Sequence, residues 1–155
     1  MSFEIILLPM MTIMGVELRT TYLNNECYAA IPAFWQKIYQ ENTLAHILNK
    51  TNADIVLGIY TNYTSDFSLT SGHYSLVIGC PISKVDTVPT GMIIKEIPAS
   101  KYAVFTSHGA AHVAATWAEI WQDKKLEQER TFTHDFEWYD AKNPELVKTY
   151  VAIKS

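Results

Sequence analysis

The stretch DFEWYD, residues 135–140, lies near the carboxyl end of the chain and alternates in character along its length. Alternation with a period of two is typical of a β-strand with one buried face. Phe136 and Trp138 then share one face, and Glu137 and Tyr139 share the other. Burial of a carboxylate among aromatic rings is unfavourable unless hydrogen-bond donors or a cation compensate its charge. The stretch by itself leaves two interpretations open, a ligand-binding Glu137 and a Glu137 that points to solvent on an ordinary antiparallel strand, and the rest of the chain has to decide between them.

Length and composition favour one domain with a sizeable core. The chain has 155 residues, of which 48% are hydrophobic, and its formal net charge is -4. Phosphate backbones are normally bound by clustered Lys and Arg, and Lys124–Lys125 is better explained as favourable charge near a helix end. We therefore expect no direct binding of nucleic acid.

Other motifs indicate neither a metal site nor a membrane segment. Cys27 and Cys80 are too few and too far apart for a metal motif or a disulfide framework. His108 and His112 have metal-ligand spacing, but no third ligand is evident. The apolar segment 5–14 is too short for a membrane span. We expect a cytoplasmic protein without metal or cofactor, and no contact with a membrane.

Outward from DFEWYD, the chain reads as strands with two main helices. A helix is predicted to begin at Ile31–Pro32 after a connection over residues 22–30, because proline is well tolerated in a first helical turn. A second, alanine-rich helix follows Ser107–Gly109. Strands are predicted at 3–20 with a break near Pro9, and at 55–60, 74–79, 92–97, 101–105, 135–140 and 149–153.

A weak internal repeat organises these elements. Residues 35–39 and 117–121 share the form W-x-x-I-aromatic, and the order strand, helix, strand, strand occurs around each. The fold class predicted is α+β, with duplicated β-α-β-β modules of about 1–85 and 92–155, antiparallel sheets, two main helices and a central concave pocket. Trp35 and Trp117 either face that pocket or anchor their helices in the core.

Several segments together resemble one known family. They are the helix start at Ile31 to Trp35, the strands around Gly58–Tyr60 and 74–79, the segment 97–109 with Ile97-Pro98-Ala99, the second Trp motif, and DFE with Tyr139. In this order, they resemble the GyrI-like small-molecule-binding domain of SHS2 type, which is also the effector-binding domain of bacterial AraC-type and MerR-type transcription regulators. The resemblance covers nearly the whole chain, 1–155, as a single domain. The carboxyl end, residues 152–155, departs from the family's pattern, which places any role of the last strand and Tyr150 in doubt.

The resemblance implies an aromatic pocket in which Glu137 receives the polar or cationic part of an amphipathic ligand. The ligand-binding residues expected are Glu137, Tyr139, Trp117, Trp35, Tyr60 and Tyr102. Physical chemistry agrees, since a buried carboxylate and aromatic faces both attract a cation, and the rings also offer flat apolar area.

We therefore expect a stand-alone protein that binds an amphipathic small molecule, cationic or planar aromatic, with a link to transcription regulation through another protein or a homo-oligomer. Two alternatives remain open. A desolvated Glu137 has a raised pKa and could serve a hydrolase, as in some members of the family that act on reactive natural products. An inhibitor that binds a protein such as gyrase is the other alternative.

Overall fold

One antiparallel sheet of eight strands runs through the computed structural model, which describes residues 2–155. The strands are β1 Glu4–Leu8, β2 Met11–Thr20, β3 Ile55–Thr61, β4 Tyr74–Pro81, β5 Ile93–Ile97, β6 Ser100–Ser107, β7 His134–Asp140 and β8 Val147–Ile153. The helices are α1 Glu26–Gln40, α2 Val113–Gln122 and α3 Lys124–Glu129, with short 3-10 turns at Leu23–Asn25, Thr43–His46 and Ala110–His112. The α+β fold class is confirmed.

The strand order shows the duplication directly. The strand order in the sheet is β1-β6-β8-β7-β3-β4-β2-β5. Strands β1 to β4 of the first half correspond in turn to β5 to β8 of the second half, and with this correspondence the order is the same from both edges of the sheet. The first strand of each half pairs with a strand of the other half, β1 with β6 and β5 with β2. The two halves meet at the centre, where β3 pairs with β7. The boundaries of the repeats, about 1–85 and 92–155, stay a prediction.

The two faces of the sheet have different partners. The Phe136 face carries the largest apolar cluster, in which the Phe136 ring stacks on Tyr150 with centroids 4.5 Å apart. The Glu137 face is covered by the helices. Ile38 of α1 packs on Leu76 and Ile78 in one half. In the other half, the second and third helices contribute Ile120 and Leu126 to a cluster with Ala103, Phe105 and Val151.

The start of α1 differs from the prediction. The helix begins at Glu26, within the segment expected to be a connection, and Pro32 lies in its interior. A proline there has no N–H for the carbonyl of Tyr28, which costs roughly 3 kcal/mol. Packing outweighs this cost because Cys27 and Ile38 are buried on one side of the helix. Tertiary contacts, rather than local propensity, set where this helix begins.

The long β3–β4 connection and the end of β6 agree with the sequence. Strands β3 and β4 form the expected antiparallel pair around residues 62–73. Ser107, His108 and Gly109 join β6 to the turn that precedes α2, with Gly109 at φ 94°. None of the helices within residues 2–155 has the length and apolarity needed to cross a membrane.

Candidate ligand-binding site

Glu137 lies at the middle of the sheet and is only 3% exposed. Three side chains donate hydrogen bonds to its carboxylate. Tyr60 Oη and Trp117 Nε1 donate to Oε2 over 2.9 and 2.7 Å, and Tyr139 Oη donates to Oε1 over 2.5 Å. The alternative of a solvent-facing Glu137 is therefore wrong. A carboxylate with three donors is held in a fixed orientation, which suits it to recognise a ligand.

Burial and these donors act in opposite directions on the pKa of Glu137. Removal from water raises its pKa above the ordinary value of 4.5, while the hydrogen bonds from Tyr139, Trp117 and Tyr60 oppose that rise. Burial raises the pKa of the hydroxyls of Tyr60 and Tyr139, and the nearby carboxylate of Glu137 raises it further. Both tyrosines remain protonated donors, and Glu137 is the acceptor.

The three donors come from different elements and meet because of the sheet register. Tyr60 comes from β3, Trp117 from α2, and Tyr139 from β7 itself. Directly across from Glu137, β3 has Gly58. A Cβ at this position would lie 3.1 Å from Trp35 Cζ2 and 3.5 Å from Glu137 Oε1. The glycine leaves room for the carboxylate and for the indole of α1 on the same spot of the sheet.

A cavity of about 910 Å³ lies over Glu137, between α1 and α2. This volume suits a drug-sized molecule. Ten of its 22 lining residues are aromatic, and three are charged, namely Lys124, Arg130 and Glu137. The aromatic residues are Tyr22, Tyr28, Trp35, Tyr60, Tyr63, Phe67, Tyr74, Trp117, Trp121 and Tyr139. The wall can therefore present ring faces to a planar or cationic ligand.

Five of the six residues expected to bind ligand lie together at this cavity, namely Glu137, Tyr139, Trp117, Trp35 and Tyr60. The two indoles also contact apolar clusters beneath their helices, so they serve the core and the cavity together. Trp35 packs edge-on against the ring of Tyr139, with centroids 5.4 Å apart.

Tyr102 was expected to bind ligand, but it does not line the cavity. It is fully buried on the Phe136 face, where its ring packs edge-on against Phe136 with centroids 5.3 Å apart. Its strand neighbours Ala103 and Phe105 face the helices instead. Aromatic character in a strand indicates burial, but only the register decides which face the ring occupies.

Sequence reasoning missed a buried ion pair beside the cavity. Arg130 Nη2 donates to Asp135 Oδ2 over 2.9 Å, and both side chains are almost fully buried. Tyr63 Oη donates to the same oxygen over 2.6 Å, and the backbone N–H of Ala152 donates to Oδ1 over 2.8 Å. One signal was present in the sequence, since Asp135 has the same parity as Glu137 in its strand.

Aromatic residues from loops were also missed. Phe67, in the connection between β3 and β4, packs against Tyr63, Tyr74 and Trp121 with ring centroids 4.8 to 6.0 Å apart. Trp121, on α2, was also missed as a cavity residue. Its position four residues after Trp117, on the same helical face, was the sequence signal that could have identified it. Phe132, in the segment before β7, contacts the same group.

The two buried carboxylates differ in their charge balance. Asp135 has Arg130 as its cation. Within residues 2–155, Glu137 forms no ion pair with a lysine, arginine or histidine. A buried anion without a cation favours the binding of a positive group from outside the chain.

Across residues 2–155, no group of three or more His, Cys, Asp and Glu side chains is arranged to hold a metal ion. The thiol of Cys27 lines the cavity, and burial raises its pKa, which keeps it in the unreactive protonated form.

Comparisons with known proteins converge on one family. The family described as "Cass2: Integron-associated effector binding protein" matches residues 4–153. YobU of Bacillus subtilis (strain 168), which carries the provisional name of transcriptional regulator protein, is 37% identical over 131 residues, covering 80% of this chain and 79% of YobU. The transcriptional regulator BrlR of Pseudomonas aeruginosa is 27% identical over 146 residues, and the match covers 92% of this chain but 49% of BrlR. The chain thus spans about half the length of BrlR.

Solved structures show the same fold. SAV2435, in a structure with tetraphenylphosphonium bound, has a TM-score of 0.82 at 20% identity, with 100% of this chain and 95% of that chain covered. The integron cassette protein VCH_CASS2 of Vibrio cholerae has a TM-score of 0.72 at 25% identity, with 98% and 95% covered. The expected GyrI-like, effector-binding fold is confirmed.

Proposed function

The chain belongs to the Cass2 family of integron-associated effector-binding proteins, and we propose that its effector is an amphipathic aromatic cation whose positive charge lies against Glu137. The observation that carries this proposal is the 3% exposed carboxylate at the cavity wall, which has three hydrogen-bond donors but no ion-pair partner within residues 2–155. Attraction between opposite charges is stronger in such a desolvated site than in water.

The hydrogen bonds at Glu137 limit how a ligand can be recognised. Oε2 already accepts from Tyr60 and Trp117, and Oε1 accepts from Tyr139. A carboxylate offers about four lone-pair sites, so roughly one remains for a donor from the ligand. Recognition must then depend mainly on charge and on contact with ring faces. A diffuse organic cation satisfies both requirements.

Binding of the effector would be coupled to transcription in the cell. The relatives YobU and BrlR both carry names of transcriptional regulators, the first provisionally. The formal net charge of -4 does not favour direct binding of this chain to DNA. We propose that a protein partner, or a second copy of the chain, transmits the binding of the effector, and that the chain works in the cytoplasm.

Hydrolysis is the alternative that one observation favours, since burial raises the pKa of Glu137. A general acid or base must exchange a proton with its substrate. The three donors favour the ionised state of this carboxylate and occupy most of its acceptor sites, which argues for a binding role. Incubation with an aryl epoxide distinguishes the two. Formation of a diol by the wild type and not by Glu137→Gln would establish hydrolysis.

The proposed function is tested by comparing an aromatic cation with a neutral molecule that keeps three of its four phenyl rings. Tetraphenylphosphonium, the cation bound in the SAV2435 structure, is compared with neutral triphenylphosphine oxide. Three indoles line the cavity, at Trp35, Trp117 and Trp121, so saturable quenching of tryptophan fluorescence reports binding. We expect the cation to bind at least tenfold more tightly. Equal affinities, or no saturable quenching by the cation, would refute the proposal.

A further inference from the structure

The guanidinium of Arg130 is a second charged group at the cavity, and its hydrogen bonds are incomplete. The residue is 5% exposed and forms part of the cavity wall. Nη2 donates to Asp135 Oδ2 over 2.9 Å. Nε and Nη1 are buried, and neither has a hydrogen-bond partner within residues 2–155. A buried N–H without an acceptor is unfavourable, and a ligand that supplies the acceptor removes this penalty.

Aromatic rings, and no acceptors, surround the unpaired side of this cation. The Arg130 Cζ atom lies 4.2 Å from the ring centroid of Phe132, 4.8 Å from that of Trp121 and 5.9 Å from that of Trp117. Ring faces attract a guanidinium but leave its N–H groups without an acceptor. The arrangement therefore retains a capacity for hydrogen bonding that this part of the protein does not use.

The Phe132 ring covers Arg130, with its centroid 4.2 Å from Cζ, and the residue is only partly buried. Rotation of this side chain can move the ring away from the guanidinium without a change in the backbone. The cover over the guanidinium is thus one that a ligand can displace.

We propose that Arg130 forms a second pole of the cavity, where an unpaired N–H group of its guanidinium, on Nη1 or on Nε, binds a carboxylate carried by the effector. The inference rests on the proposed function and narrows its ligand class to aromatic cations that also carry an anionic group. Trp117 connects the two poles, since its Nε1 donates to Glu137 and its ring lies next to Arg130. A zwitterionic aromatic ligand that lies over this indole would place its cation next to Glu137 and its carboxylate next to Arg130.

Asp135 does not prevent this second role. It occupies one nitrogen of the guanidinium, and its oxygens also accept from Tyr63 and from the backbone of Ala152. A guanidinium has five N–H donors, so it can serve two carboxylates at once. The ligand's carboxylate reaches one of the two unpaired nitrogens as the Phe132 ring moves aside.

A pair of dyes that share one xanthenylium cation tests the inference. Rhodamine 110 carries a free carboxylate, whereas rhodamine 123 is its methyl ester. Fluorescence anisotropy gives the affinity of each dye for the wild type and for Arg130→Lys, whose ammonium can still pair with Asp135 but lacks the planar fork. We expect the wild type to prefer the carboxylate dye by about tenfold, the value of one charge-assisted hydrogen bond. Arg130→Lys should bind both dyes with similar affinity.

A second variant and a control separate this inference from the proposed function. Phe132→Ala removes the cover, and we expect it to increase the preference for the carboxylate dye. A wild type that binds the ester as tightly as the acid, or a preference unchanged in both variants, would overturn the role of Arg130. If the role of Arg130 is overturned but Glu137→Gln still weakens the binding of both dyes, the proposed function stands. If neither dye binds the wild type, both proposals fail.

Discussion

Replacement of Tyr139 by Phe should change the pH at which the protein binds a cation. The substitution keeps the ring that packs against Trp35 and removes only the hydroxyl, which donates to Glu137 Oε1 over 2.5 Å. Of the three donors, Tyr139 contributes most to lowering the pKa of Glu137. Without this donor, less hydrogen bonding opposes the effect of burial on the pKa of Glu137, so that pKa should rise further above its ordinary value.

The size of this shift follows from the hydrogen bond that is lost. A hydrogen bond to a charged group contributes about 1.5–3 kcal/mol, and this bond stabilises the ionised form of Glu137. A cation requires the ionised carboxylate, so its affinity falls as the pH drops through the pKa of Glu137. The midpoint of this loss should therefore lie at a clearly higher pH in Tyr139→Phe than in the wild type.

The assay is a series of tetraphenylphosphonium titrations from acidic to slightly alkaline pH, followed by tryptophan fluorescence. Tyr28→Phe is the matched control, because Tyr28 also lines the cavity but is exposed and donates nothing to Glu137. Its midpoint should equal that of the wild type. An unchanged or lower midpoint for Tyr139→Phe would show that this hydroxyl does not stabilise the charge.

Three other outcomes are expected. Gly15→Ala should destabilise the fold by about 3 kcal/mol, because its Cβ would lie 2.2 Å from the Ile78 carbonyl oxygen; urea denaturation close to wild type would contradict this. Glu137→Gln should gain stability relative to the wild type as pH rises. Because the pKa of Glu137 in the folded protein is raised above 4.5, its contribution to the stability of the wild type is favourable at low pH and is lost as the pH rises through the folded-state pKa. A difference in urea midpoints that does not depend on pH would refute the raised pKa. Tyr102→Phe should leave cation affinity within about twofold of wild type, since Tyr102 faces the opposite core; a larger loss in titration would reject that placement.

The alternation in residues 135–140 was sufficient to place Glu137 on the face opposite Phe136 and Trp138. A strand has only two faces, so one apolar pair determines where the other residues point. The helical spacing of Trp117 and Trp121 places both indoles on one face of α2, although Trp121 was not among the residues expected to bind ligand. Where one local period controls the direction of a side chain, the sequence indicates that direction.

Local patterns failed where packing between distant segments decides the outcome. Pro32 is typical of a helix start, yet the buried positions of α1 extend the helix to Glu26. The pairing of β1 with β6 exchanges strands between the halves, and no property of residues 4–8 indicates that partner. Tyr102 and the loop residue Phe67 are both aromatic, but only the assembled sheet separates the core from the cavity.

The ion pair of Arg130 and Asp135 illustrates the same limit for charges. The two residues are five positions apart, and Tyr63 joins them from the loop after β3. Charged residues are usually exposed, so composition alone gave no reason to bury this pair. Once the ion pair is known, Glu137 is recognised as the buried carboxylate that has no cation of its own.

Calorimetric titration of tetraphenylphosphonium into wild type and Glu137→Gln at neutral pH tests the central claim most directly. Glutamine keeps the size and removes the charge. Two charges about 4 Å apart near a protein surface attract by about 4 kcal/mol, and desolvation of the cation offsets part of this. We predict an affinity roughly 100-fold lower for the variant. Equal affinity of the two proteins would contradict the account, because the carboxylate would then have no part in binding the cation.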